Sequence, residues 1–168
     1  IYRSGSSYDG TARAGRGVAP VVTKEDMLQS FEINTIGPML IAQHFVPLMI
    51  ATNTTAPPKT TTTTPVGVLA FVTSKVGSIE DNTSGGAYAY RSSKSALNCI
   101  AKSLSVDLWD ENIRVVLLHP GWVRTAMTEG RGLIETHTSV TGMLHAIENT
   151  DATTGFRFVD YKACLIPW

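Results

Sequence analysis

The chain has 168 residues, 14 basic and 14 acidic side chains, and a formal net charge of zero. That length suits one domain with a sizeable core. The neutral balance argues against a nucleic-acid or anionic-membrane partner, both of which favour a basic surface, and 43% apolar with 17% charged residues is ordinary for a soluble globular protein.

The sequence does not begin with methionine, and "IYRSGSSYDG" lacks the apolar core of a signal peptide. Residues 3–17, rich in glycine and serine, read as a loop. A long helix is predicted from about residue 24 to about residue 50. Thr23 can cap its start, Glu25 and Asp26 suit its first turn, and Met27, Leu28, Phe31, Met39, Leu40, Phe45 and Met49 supply the apolar positions. Gln43, His44 and Pro47 interrupt its most apolar part, so no run approaches the ~20 apolar residues of a membrane span.

Residues 52–65, "TNTTAPPKTTTTTP", read as a flexible surface insertion. "VGVLAFVT" (66–73) is a short apolar run typical of a strand buried on both faces. A second helix is predicted over 87–109, with an apolar stripe of Leu97, Ile100, Ala101, Leu104 and Leu108. "IRVVLLH" (113–119) is a second buried strand, residues 138–149 a third helix, and "FRFVD" (156–160) a last short strand. Helices alternating with strands predict crossover units and an α/β fold, a doubly wound parallel sheet.

Chemistry concentrates on the second helix. Tyr90 and Lys94 stand four residues apart and so share a helix face one turn apart, among alanines and serines. A cation held ~4–6 Å away favours a phenolate, so the pair can exchange a proton with a substrate oxygen near neutral pH. Upstream, Ser74 follows the first strand at the sheet edge where doubly wound folds bind ligands. A hydroxyl there can stabilise charge developing on a carbonyl oxygen; Ser78, on the same loop, stays an alternative. Asn34 lies four residues before Pro38, which has no N–H to offer the Asn34 carbonyl, leaving that oxygen free to hold a water.

Other conspicuous residues carry less. His119, before Pro120, reads as a packing or hydrogen-bonding histidine. His44, His137 and His145 show no metal-ligand spacing, so no metal is expected. Cys99 and Cys164 form no CxxC pattern and read as free thiols of a reducing compartment, which places the protein in the cytoplasm. Trp109, Trp122 and Trp168 read as packing residues.

"YRSSKSALN", preceded by "VTSKVGS" and followed by "VVLLHPGWVRTAM", resembles the short-chain dehydrogenase/reductase superfamily. "GSIEDNTSGGAYAYRSSKSALN", "SLSVDL", "HPGWVRT" and the terminal "IPW" are similar to its C-factor and sniffer-like carbonyl reductase branch. The resemblance implies hydride transfer between a nicotinamide cofactor and a carbonyl or alcohol. Tyr90 would be the general acid/base, and Lys94 would lower its pKa while bonding the nicotinamide ribose. Ser74 would polarise the substrate carbonyl, and the Asn34 backbone carbonyl would hold a relay water. Pro120 and Gly121 would pack against the nicotinamide, Val123 and Thr125 would contact its carboxamide, and residues 126–140 would form a mobile substrate lid.

The branch implies NADP, with NAD the alternative, a small-molecule substrate, and a homodimer or homotetramer packed through the two long helices. The family's glycine-rich turn for the pyrophosphate does not occur here, and roughly 90 residues, at about 30 per βαβ unit, would precede this sequence. Residues 1–168 are therefore expected to be the C-terminal catalytic part of such a fold, without its N-terminal dinucleotide-binding half. The competing expectation is a non-catalytic fragment or interaction protein that keeps the helices of the dimer interface.

Overall fold

The computed structural model describes residues 21–54 and 67–168. Three parallel strands, β1 (Gly67–Val72), β2 (Ile113–His119) and β3 (Arg157–Asp160), lie side by side in that order. Helix α3 (Tyr88–Asp107) crosses from β1 to β2, and α4 (Thr136–Glu148) crosses from β2 to β3. The register sets Val72 beside Leu118 and His119 beside Asp160, so the carboxyl ends of the strands form one edge.

Alternate residues of β2 serve opposite faces, as the period of two requires. Val115 and Leu117 pack with Phe71, Phe158, and Leu97 and Ala101 of α3 on one face. Val116 and Leu118 pack with Val159 and with Ala146 of α4 on the other. With helices on both faces, the sheet is doubly wound, as its β/α alternation predicts. Among the described residues β1 pairs on one side only, and Val72 is 53% exposed.

The first helical run departs from expectation in three ways. It is not one α-helix: α1 (Lys24–Phe31) passes into a π-turn at Glu32–Ile36, then into α2 (Gly37–Thr54). The ladder changes where the Gly37 N–H reaches the Glu32 carbonyl, five residues back, so Asn34 lies inside the irregular turn. Second, Leu28, Leu40 and Phe45 do not line the core but are exposed. Third, residues 24–51 are, by length and composition, apolar enough to cross a membrane, despite the interrupting polar residues. The run starts as predicted, with Thr23 and Asp26 exchanging side chain-to-backbone hydrogen bonds of 3.1 and 3.2 Å in a capping box.

Residues 52–54 belong to α2, so the first part of the predicted insertion is helical; its remainder, and the loop read at 3–17, lie outside the described residues. The carboxyl-terminal segment closes the core beneath β3. Ile166 donates to the Phe158 carbonyl at 2.8 Å, and Trp168 stacks on Phe156 with ring centroids 5.2 Å apart, the packing role expected of it. Cys99 and Cys164 are both free and exposed.

Candidate active site

The site is assembled at the carboxyl edge of β1 and β2. Thr73 donates its N–H to the Leu118 carbonyl at 2.9 Å, which keeps the two strand ends together just before each enters its loop. After β1, Ser74 starts a short 3-10 turn, Lys75–Gly77, and its Oγ accepts the Val76 N–H at 3.4 Å. Ser78 is 2% exposed, and its Oγ accepts the Asp81 N–H at 3.0 Å. Both candidate serines are thus buried, Ser74 at the strand end and Ser78 beyond the turn.

The chain then reverses into α3 through Gly85, Gly86 and Ala87, with φ of 65°, 69° and 46°. Two consecutive glycines meet that left-handed requirement at no steric cost; Ala87, the N-cap position, bears some. Tyr90 and Lys94 follow on one face. Lys94 is 9% exposed, its Nζ donates to the Val72 carbonyl at 3.2 Å, and the same Nζ lies 5.9 Å from the centroid of the Tyr90 ring. Burial holds the Lys94 ammonium below the usual lysine pKa, because loss of water disfavours its charge.

Asn34 reaches this helix from the π-turn. Its Nδ2 donates to Ser93 Oγ at 3.1 Å, while Thr35 Oγ1 donates to the Ser93 carbonyl at 2.8 Å. Ser93, fully buried, donates in turn to the Tyr90 carbonyl at 2.9 Å. The π-turn is thus fastened to α3 between Tyr90 and Lys94. Irregular helical turns of this kind recur at functional sites.

After β2, Pro120 and Gly121 lead away from the same edge. The Pro120 carbonyl accepts from Ser139 Oγ at 2.6 Å. Gly121 has φ of 82°, and a Cβ there would stand 2.7 Å from Ile134 and 2.9 Å from the Tyr161 ring. Val123 bridges to Ile134, and Thr125 opens the short turn Ala126–Thr128, in which Thr128 Oγ1 donates to the Val123 carbonyl at 2.7 Å. Residues 126–140, the expected lid, contain the short turn Ala126–Thr128 and the start of α4. Their base is clipped by the Val123–Ile134 bridge and by an Arg124–Glu135 ion pair, while Met127 and Leu133 stand exposed at 66% and 76%.

The structure therefore gathers Asn34, Ser74, Tyr90 and Lys94 around the start of α3, and Pro120–Thr125 at the adjoining strand end. Four residues that the sequence reading did not single out join them. Ser93 holds the π-turn, while Arg91, Ser95 and Asn98 bond the backbone of the loop that follows Ser74. A polar stripe at 91, 95 and 98, on an otherwise apolar and small-residue helix, is the signal that could have found them.

Residues 10–134 match the family described as short chain dehydrogenase. The chain is 39% identical over 146 residues to the C-signal protein of Myxococcus xanthus, covering 85% of this chain and 79% of that one. Among solved structures, the carbonyl reductase Sniffer of D. melanogaster superposes with a TM-score of 0.80 at 33% identity, covering 92% of this chain and 64% of that one. The NADPH-bound carbonyl reductase from chicken fatty liver superposes with a TM-score of 0.75 at 29% identity, over 92% of this chain and 63% of that one. The chain thus spans just under two thirds of the length of either reductase. By the match over residues 10–134 and these likenesses, the chain belongs to the short-chain dehydrogenase/reductase superfamily, in its C-factor and sniffer-like branch.

Proposed function

We propose that this protein is a nicotinamide-dependent oxidoreductase that interconverts a small-molecule carbonyl and its alcohol, with Tyr90 as the general acid/base. The observation that carries this reading is the placement of Lys94. A buried ammonium stands one helical turn from a tyrosine, at the sheet edge where Ser74 ends a strand. Among the described residues Lys94 Nζ bonds one acceptor, the Val72 carbonyl. An ammonium has three donors, so two remain for the hydroxyls of a ribose.

The residues therefore fit the nicotinamide end of such a cofactor. Lys94 and Tyr90 would hold its ribose, and Pro120, Gly121, Val123 and Thr125 would flank its ring. When bound, the reduced nicotinamide supplies the hydride. In this reading Ser74 Oγ donates to the carbonyl oxygen and orients it. Tyr90 Oη gives that oxygen its proton, and the Lys94 charge stabilises the negative charge left behind. The Asn34 backbone holds a water that returns the proton. The NADPH-bound reductase from chicken fatty liver supports NADP over NAD. Ser74 is preferred to Ser78 because it lies nearer the strand end, before the short turn rather than beyond it.

A second reading, an interaction protein that retains the fold, is favoured by one observation. α2 presents Leu40, Ile41, Phe45 and Leu48 to solvent at 49–62% exposure. The two readings share a homodimer through this face.

The test is Tyr90→Phe in the whole protein that carries this chain, with NADPH and an electron-poor aromatic aldehyde. Turnover should fall by about 10²–10⁴-fold, while NADPH binding and the circular dichroism spectrum are retained. Undiminished turnover would sink the acid/base assignment, and so would lost NADPH binding in a folded variant.

A further inference from the structure

We infer that Arg91, Ser95 and Asn98 are positioning residues that clamp the Ser74 turn against α3; as a role in catalysis, this rests on the reductase reading above. The three residues recur at helical spacing and form a stripe beside that of Tyr90 and Lys94. Arg91 Nη1 donates to the Val76 carbonyl at 3.2 Å, Ser95 Oγ to the Gly77 carbonyl at 2.7 Å, and Asn98 Nδ2 to the Gly77 carbonyl at 3.4 Å. On the near side of the turn, Thr73 Oγ1 donates to Asn98 Oδ1 at 2.7 Å. One buried amide therefore bonds residues 73 and 77, with Ser74 between them.

The fit beneath these bonds is close. A Cβ on Gly77 would stand 2.9 Å from Lys94 Cβ and 3.0 Å from the Lys94 backbone carbon. The loop that carries Ser74 thus rests on the helical segment that carries Lys94, and the two cannot drift apart without breaking the stripe. Arg91 extends the arrangement. Its Nε donates to the Gly86 carbonyl at 3.1 Å and its Nη2 to Ser84 Oγ at 2.7 Å. A single guanidinium therefore fastens both the loop after β1 and the left-handed loop that feeds α3. Its planar fork of donors suits this in a way that a lysine point charge does not.

The consequence is geometric. A hydroxyl that must meet a developing oxyanion loses much of its effect when displaced by an ångström, and the stripe fixes Ser74 relative to Tyr90. Ser95→Ala should lower kcat by about 10-fold and leave the KM for NADPH unchanged. Ser95→Thr, which keeps the hydroxyl, should recover the rate. In a Ser74→Ala background, Ser95→Ala should have no further effect, because the group it positions is gone. The same fractional loss in both backgrounds, or no loss in either, would overturn the positioning role.

A second measurement does not depend on turnover. Hydrogen exchange at the Gly77 and Ser78 amides, which bond the Ser74 and Lys75 carbonyls at 2.8 and 3.0 Å, should quicken in Ser95→Ala and Asn98→Ala. The β2 amides should stay protected. Unchanged exchange at the turn would overturn the clamp even in a chain that reduces nothing. A whole protein that shows the quickened exchange but turns nothing over would keep the clamp and remove the reductase reading instead.

Discussion

His119 ends β2 with its Nδ1 buried and, among the described residues, without a hydrogen-bond partner. Burial is the main force on it and lowers its pKa from the ordinary 6.5. The carboxylates of Asp160 and Asp81 oppose that shift, and the Lys75 ammonium adds to it. A lowered folded-state pKa means that the unfolded chain takes up the proton more readily. His119 therefore contributes its stability in full above pH 6.5 and loses it as pH falls through the lower folded value. Urea unfolding of the wild type should show a midpoint that declines below pH 6.5, and His119→Asn should flatten that part of the curve. A variant that follows the wild-type curve throughout would place the acid sensitivity elsewhere. At this scale the sequence was most legible in the helical spacing of Tyr90 and Lys94, whose Nζ lies 5.9 Å from the tyrosine ring. It was least legible where a side chain bonds distant backbone. Ser95 and Asn98 reach a loop 18 and 21 residues away, and the polar stripe they form with Arg91 does not reveal which backbone it meets.

Between residue and fold, the elements that bury apolar surface were readable and the irregular ones were not. β2 is buried from Ile113 to Leu118, and its apolar run, broken only by Arg114, marks it out. α3 was found through a stripe in which Leu97, Ala101 and Leu108 are indeed buried. The π-turn at Glu32–Ile36 was not foreseen as such, since one added residue per turn changes the ladder without changing composition. What Pro38 did signal was a disturbance near Asn34, and the structure places Asn34 inside the irregular turn. Close approaches were equally silent. Gly77 sits in an ordinary-looking loop, yet its missing Cβ is what admits the backbone of α3. Gly77→Ala should therefore destabilise the chain by about 1–3 kcal/mol, the usual range for overpacking a closely fitted site, with the loss read from the denaturation midpoint at constant m-value. A neutral substitution would mean that the loop can lift from Lys94 without cost.

For the molecule as a whole, the outer face of α2 is the feature that the fold alone does not account for. Its inner side meets the core through Ala42, Val46, Met49 and Ile50. Its outer side carries Leu40, Ile41, Phe45 and Leu48, with Ile36 of the π-turn, at 49–62% exposure. Single exposed apolar side chains are commonplace, but a contiguous set marks a contact surface. A stable dimer covers about 800 Å² per partner, more than one helix face offers, so further surface beside α2 has to join it. The proposed dimer therefore predicts a light-scattering mass of twice the chain's 18.1 kDa. Phe45→Glu, placing a charge in the middle of the face, should yield a monomer with an unchanged thermal midpoint at low concentration. A wild type that stays monomeric at about the micromolar concentrations where interfaces of this size associate would remove the dimer, and the face would then have to serve a different partner.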